Sequence, residues 1–320
     1  MIEKTEPRFA ELQESGSIDA DETPTPAVAA DDETVADAEA RKDEALSFEA
    51  LLISRTYLYT LFHKALGGEP CGRLFELLSD EQTVSVVDEY ASADSAMATL
   101  KDYFAGLAEK ADGEFVDDAR SEYTRVFVGP NRLLALPWES PYVSHESVLF
   151  QKNTLAVRHA YNAHGWKIKR HLHVPDDHVS LMCGFMARLA NESMISFEEP
   201  NLQDVRDQMI EQKLFIDGHL NNWLSKYAEG LCASGKAPLY SRLVEGLTAF
   251  VRLDSVFAVE AISWIDELSK WEEKAGEGVS VSIGEAFSPD SDLFDAVKEA
   301  LARLAALRLK DIEDNELCDL

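Results

Sequence analysis

Between Glu122 and His178 the sequence collects side chains that could bind or catalyse. The acids are Glu122, Glu139, Asp176 and Asp177. Interleaved with them are the aromatics Tyr123, Phe127, Trp138, Tyr142 and Phe150, followed by the histidines His159, His164, His171, His173 and His178. A carboxylate receives a planar guanidinium through two parallel hydrogen bonds, and aromatic rings beside it can line an apolar cleft. The histidines could instead hold a metal, with His171 and His173 offering two imidazoles. Neither an H-E-x-x-H nor a paired E-x-x-H motif accompanies them, so a solvated connector between helices is the better reading. No G-x-x-x-x-G-K-[ST] loop supports nucleotide hydrolysis, and no Ser/His/Asp or Cys/His arrangement forms a nucleophilic site. Cys71, Cys183, Cys232 and Cys318 are far apart and form no C-x-x-C pair. That suits a reducing cytoplasm better than a disulfide framework or a thiolate metal site.

Each of these residues also has a plainer role. Asp176 or Asp177 can cap the helix that follows, accepting one of its unsatisfied backbone N–H groups. His178 then falls in the first turn, where the positive helix end disfavours imidazolium while the adjacent aspartates favour it. Its protonation stays open at this level. Glu122 and Phe127 are five residues apart and do not share one narrow helical face, so Glu122 is at most a rim residue. Gly129-Pro130 most simply ends a helix and starts a loop. Arg55 shares an apolar stripe with Leu51, Leu58 and Phe62, and either pairs with a buried acid or extends to solvent.

The elements that must position these residues read as helices. Leu51, Leu58, Phe62 and Leu66 follow the three/four spacing, and Gly67-Gly68 supplies a stop. Met97, Leu100, Phe104 and Leu107 repeat the pattern, as do Phe115, Ala119, Tyr123 and Phe127. A further helix starts at Pro175-Asp176-Asp177 with Val179, Met182, Met186 and Leu189 on one face. The longest stripe runs from Leu202 through Val205, Met209, Ile216, Leu220 and Trp223 to Tyr227. Tyr240 to Phe250 and Phe257 to Leu268 give two more. Ser288-Pro289 then caps a last amphipathic helix through Leu293, Val297, Leu301 and Leu304. Val279 to Ile283 is the one alternating, strand-like run. The predicted fold class is all-α. Residues 129–147 interrupt it with Gly129-Pro130, Pro137-Trp138 and Pro141-Tyr142, which cannot lie in helix interiors. A loop of this length in a helical domain is usually functional or disordered. Because Trp138 and Tyr142 are costly to expose, an ordered loop lining a surface pocket is expected.

Composition bears on the partners. The chain of 320 residues carries a net charge of −29. Such a surface repels phosphate backbones and anionic membranes and attracts a basic peptide, with strong salt dependence, although solvated acidity for solubility explains the same charge and the charge alone decides nothing. No stretch approaches the ~20 continuous apolar residues of a membrane span, and the N-terminus lacks the basic-then-apolar layout of a secretory signal. In residues 1–45, fourteen acidic residues oppose four basic ones, with Pro24, Pro26 and few large apolar residues. That composition predicts a disordered acidic tail.

The run from Glu122 to Pro130 resembles a signature of the TorD/DmsD family of redox-enzyme maturation chaperones. Similar to that family are also Pro137-Trp138-Glu139-Ser140-Pro141-Tyr142, Ser147 to Phe150, Val157-Arg158, Tyr161, Gly165 and the hallmark Pro175-Asp176-Asp177-His178. Phe215, His219, Leu220 and Trp223, then Phe250 and Asp254, follow in order, and Arg55 with Leu61-Phe62 belongs to the first helix. Met182 and Gly184 stand where many relatives carry glutamates, Asn131 replaces an aromatic, and Pro141 replaces an apolar residue. The resemblance implies a single TorD-like helical bundle over residues 46–255 with a long ordered loop. It is preceded by the tail 1–45 and followed by a helical extension, 256–320, that either caps the core or forms a homodimer seam. It further implies a cytoplasmic, non-enzymatic chaperone without metal or cofactor. The partners it implies are the twin-arginine signal peptide and the apo catalytic subunit of a molybdopterin-dependent reductase. The peptide site it implies comprises Tyr123, Phe127, Gly129, Pro130, Trp138, Glu139, Ser140, Tyr142, Asp177 and His178, supported by Arg55, Glu122, Phe150 and Asp176. The rival readings are an assembly factor that binds the reductase body without the signal peptide, and a helical metal-dependent enzyme.

Overall fold

The computed structural model describes residues 29–144, 152–168, 174–198, 201–275 and 317–319. In chain order the elements are α1 (Ala29–Gly67), α2 (Gly72–Leu78), α3 (Glu81–Asp88), α4 (Ser95–Ala105) and α5 (Gly113–Tyr123). Then come α6 (Ser140–Val143), α7 (Lys152–Ala163), β1 (Trp166–Ile168), α8 (Val179–Glu198), α9 (Leu202–Phe215), α10 (Leu224–Ser234), α11 (Pro238–Ala275) and β2 (Leu317–Asp319). The fold is all-α, as the periodicity predicts. The two short strands pair antiparallel, with Trp166 opposite Asp319 and Ile168 opposite Leu317.

Two helices end in a wide π-helical turn: α5 continues as Thr124–Val128 and α9 as Ile216–Leu220. Such insertions into helices cluster at functional sites. The second breaks the long stripe predicted over residues 202–227, and α10 starts afresh at Leu224. The stripes predicted over Tyr240–Phe250 and Phe257–Leu268 fuse instead into one helix, α11, opened by Pro238. A boundary at residues 255/256 therefore falls inside a continuous helix.

The chain divides into two units, residues 1–41 and 42–320. Helix α1 already runs from Ala29, so residues 29–45 are helical where a disordered tail is predicted. The acidic count hides the reason: Ala29, Ala30, Ala36, Ala38, Ala40 and Ala45 have the highest helix propensity of any residue. Residues 1–28, the strand-like run 279–283 and the amphipathic segment 288–304 lie outside the described residues.

Leu58, Phe62, Leu66, Met97, Leu100, Phe104, Met182, Met186 and Phe250 all join the main core. A smaller cluster gathers Phe48, Leu52, Phe197, Val205, Met209, Ala261 and Ile265, with Phe48 stacked 4.8 Å from Trp264. The Arg55 guanidinium is buried beside it. Its Nε donates to Asp254 Oδ1, and Nη2 donates to Asp254 Oδ2 at 3.1 Å and Gln212 Oε1 at 2.7 Å. Tyr59 adds a hydrogen bond to Asp254 Oδ2 at 2.8 Å. Arg55 thus pairs with an acid, and the pair ties α1 to α9 and α11.

Removing one partner of a buried pair strands the other charge, so Asp254→Ala should cost about 4 kcal/mol in urea denaturation. The paired change Arg55→Met with Asp254→Leu should cost less, because it leaves no unpaired charge behind.

Candidate functional site

The site is built where the loop after α5 is strapped to the turn before α8. At the end of the wide turn, Gly129 donates its N–H to Thr124 O at 2.9 Å and takes φ 90, a left-handed conformation that glycine adopts without strain. The chain then runs irregularly to Glu139. There the Glu139 N–H donates to Asp177 O at 3.1 Å and the Val179 N–H to Pro137 O at 2.9 Å, placing Trp138 opposite His178 as an antiparallel bridge.

Asp177, with no exposed surface, joins three elements. Its Oδ2 accepts the Ser140 N–H at 2.8 Å and the Ser140 hydroxyl, and its Oδ1 accepts Thr154 Oγ1 at 3.2 Å. It therefore caps α6 from a distant part of the chain and anchors α7. Asp176 is held bidentately by Arg158, Nε to Oδ1 at 2.9 Å and Nη2 to Oδ2 at 2.6 Å, while Tyr161 donates to its backbone carbonyl at 2.9 Å. Buried Glu139 accepts from His219 Nδ1 and Asn222 Nδ2, both at 3.0 Å, which fixes the loop to the wide turn after α9. Neither aspartate caps α8. That role belongs to His178, whose Nδ1 accepts the Ser180 N–H at 3.2 Å and lies 2.8 Å from Ser180 Oγ. An Nδ1 that accepts a backbone N–H carries no proton, so the imidazole is neutral. Burial, and then the neighbouring His63, press its pKa down from 6.5 to about 3. His63 Nδ1 lies 2.7 Å from Ser180 O, and a Cβ on residue 184 would sit 2.8 Å from that same nitrogen, which accounts for Gly184.

In front of this polar layer lie half-buried aromatics. Tyr123 and Phe127 are 5.0 Å apart, Phe127 meets Tyr240 edge-on at 5.2 Å, and it lies 5.9 Å from His178. Tyr142 stacks on Trp223 at 5.4 Å, and its hydroxyl accepts the Leu136 N–H at 3.1 Å. Trp138 is half-buried, Pro130 and Pro141 are exposed, and Val128 is 65% exposed.

Residues 77–229 match the family model described as the nitrate reductase delta subunit. The Chaperone protein TorD of Vibrio vulnificus (strain CMCP6) is 26% identical over 204 residues, covering 58% of this chain and 91% of that protein. That of Vibrio cholerae serotype O1 (strain M66-2) is 25% identical over 198 residues, covering 62% and 87%. The Probable Tat proofreading chaperone DmsD of Haemophilus influenzae is 36% identical over 69 residues, covering 22% and 34%. These matches make the chain similar to the TorD and DmsD chaperones.

The relatives it matches are named as chaperones. Among the described residues no three His, Cys, Asp or Glu converge as for a metal ion; His171 and His173 lie outside them. Among the same residues no helix is long and apolar enough to cross a membrane.

The structure brings Gly129, Trp138, Glu139, Ser140, Tyr142, Asp177 and His178 to one strap, with Tyr123, Phe127 and Pro130 at its start. The acids of this TorD-like chain are nevertheless spoken for. Glu139, Asp176 and Asp177 are buried and occupied by side chains of the same molecule. Glu122 is not a rim residue: its Oε2 accepts the Leu239 N–H at 3.0 Å, satisfying the start of α11, and burial raises its pKa. Arg55 is bound to Asp254 and Gln212 and to none of the loop residues named above. Phe150 lies outside the described residues. Thr154, Arg158, Ser180, His219 and Asn222 complete the site without having been singled out as its members. Thr154 could have been, because it is a polar residue on the buried stripe Thr154, Val157, Tyr161.

Asp177→Ala removes every acceptor that side chain provides and should cost about 3 kcal/mol in urea denaturation. For His178 the sign follows from its depressed pKa. Below pH 6.5 the unfolded chain takes up a proton that the folded chain refuses until about pH 3, so stability is full above 6.5 and lost as pH falls. The slope reaches about 1.4 kcal/mol per pH unit. Glu49, raised to about 7 by burial and Glu198, acts in the opposite sense. The His178 contribution is therefore read as wild type minus His178→Asn, and that difference should shrink between pH 7 and 4.5.

Proposed function

We propose that this chain is a cytoplasmic specificity chaperone that binds the twin-arginine signal peptide of an apo molybdopterin oxidoreductase and assists cofactor insertion and assembly before export. The observation that carries the reading is the half-buried aromatic surface of the strapped loop, Phe127, Trp138 and Tyr142, held in place by buried acids on a chain of net charge −29. A twin-arginine leader joins a basic segment to an apolar one, so it needs both an apolar surface and a negative field. The name of the Haemophilus influenzae relative, a probable Tat proofreading chaperone, supports the same reading.

The burial of Glu139, Asp176 and Asp177 gives these acids an organising role. They position the aromatic surface and add to the surrounding negative potential, while the leader's apolar residues meet Phe127, Trp138 and Tyr142. A second reading, an assembly factor for the reductase body, draws on the match to the nitrate reductase delta subunit.

A synthetic twin-arginine leader should bind with micromolar or tighter affinity, and more weakly as salt rises. Trp138→Ala, with helicity retained by circular dichroism, should weaken binding about 30-fold, the equivalent of ~2 kcal/mol for a lost aromatic anchor. Unchanged affinity in that variant would remove the loop from the site. A reductase precursor captured equally well after deletion of its leader would favour the second reading.

A further inference from the structure

Two tyrosines beneath the strapped loop keep polar groups that the fold does not use. Tyr227, on α10, and Tyr240, in the first turn of α11, are fully buried, and neither hydroxyl has a hydrogen-bond partner among the described residues. A hydroxyl shut away from water without a partner is costly, and phenylalanine would fill the same space without that cost. The two lie close enough to act on one another. Burial holds the Tyr240 phenol well above its usual range, and Tyr123, Glu122 and Tyr227 add to the effect. Burial and then Tyr142 do the same for Tyr227. Both are therefore neutral phenols, each with a proton to donate and lone pairs to accept.

Both rings back onto the aromatic surface. Tyr240 meets Phe127 at 5.2 Å, and Tyr227 meets Tyr142 at 6.4 Å. The loop thus leaves from beside Tyr240 and returns beside Tyr227. In between it lies on α10, where a Cβ on Gly230, one turn beyond Tyr227, would sit 3.2 Å from Ala135 Cβ. Its attachment there is light. Among the described residues, the main chain from Pro130 to Leu136 makes a single hydrogen bond, the Leu136 N–H to Tyr142 Oη.

We propose that Tyr227 and Tyr240 form a hydrogen-bonding subsite for a main-chain amide of the bound leader, reached when residues 130–136 lift. This rests on the reading of the protein as a leader-binding chaperone. A peptide whose apolar side chains meet Phe127, Trp138 and Tyr142 brings its own N–H and C=O groups against an apolar surface, where they lose water as well. It needs an acceptor and a donor there, and the two phenols have both to spare. The acids that act on Tyr240 are already taken, Glu122 by the Leu239 N–H and Glu69 by Arg120 at 3.3 Å. A neutral amide is therefore a better match than a cation.

The test compares wild type with Tyr227→Phe, Tyr240→Phe and the double variant, using one synthetic twin-arginine leader. Each single change should weaken binding about tenfold, the worth of one hydrogen bond, while the urea midpoint of the free protein stays the same or rises. Methylating the leader's backbone nitrogens one at a time should find a position that weakens binding to wild type and leaves the double variant indifferent. A lowered urea midpoint would mean that each hydroxyl already has a partner, such as a resident water, and overturns the subsite. So does equal affinity in wild type and the double variant, or a methyl scan in which no position discriminates; the chaperone reading survives all three. A leader that fails to bind wild type overturns the chaperone reading, and the subsite with it.

Discussion

The Asp177 carboxylate is the point on which the functional region turns. It lies where no water reaches it, so its charge must be satisfied by donors from the protein, and those donors come from residues 140 and 154. Meeting that requirement brings the loop after α5, the short helix α6, helix α7 and the start of α8 together. The backbone pairing of Trp138 with His178 follows from the same approach. An unmatched carboxylate at this depth would cost several kcal/mol, which is what makes the arrangement specific.

The surrounding polar groups obey the same logic. Arg158 neutralises Asp176, His219 and Asn222 satisfy Glu139, and Glu122 completes the first turn of α11. His178 escapes the problem by staying neutral and accepting a backbone N–H. Far along the chain, Arg55 and Asp254 repeat the device between α1 and α11. The strongly negative net charge is thus of two kinds. Buried acids hold the architecture, and exposed ones supply the field that a basic partner would feel.

Residues whose types suggest direct capture of arginine are bonded within the molecule, and the rings of Phe127, Trp138 and Tyr142 are half-buried. Carboxylates near β1, Glu192 and Glu211, retain solvent contact.

The sequence by itself determined the all-helical class, the stop at Gly67, the interruption at Gly129-Pro130 and most of the buried stripes. These depend on neighbours three or four residues apart, so periodicity and local backbone chemistry are enough to reveal them. The ordered course of the aromatic loop was legible because Trp138 and Tyr142 are costly to expose, whereas Asp177 and His178 were marked only by the family resemblance. Tertiary structure alone decided which acid meets which donor. Asp177 caps α6 across 37 residues instead of the helix beside it, Arg158 takes Asp176, and Arg55 finds Asp254 across 199. It also decided that one stripe would split after Phe215 while two others fused into α11, and that β2 would pair with β1. Such outcomes turn on which groups become neighbours when the core closes, and spacing along the chain carries no record of that.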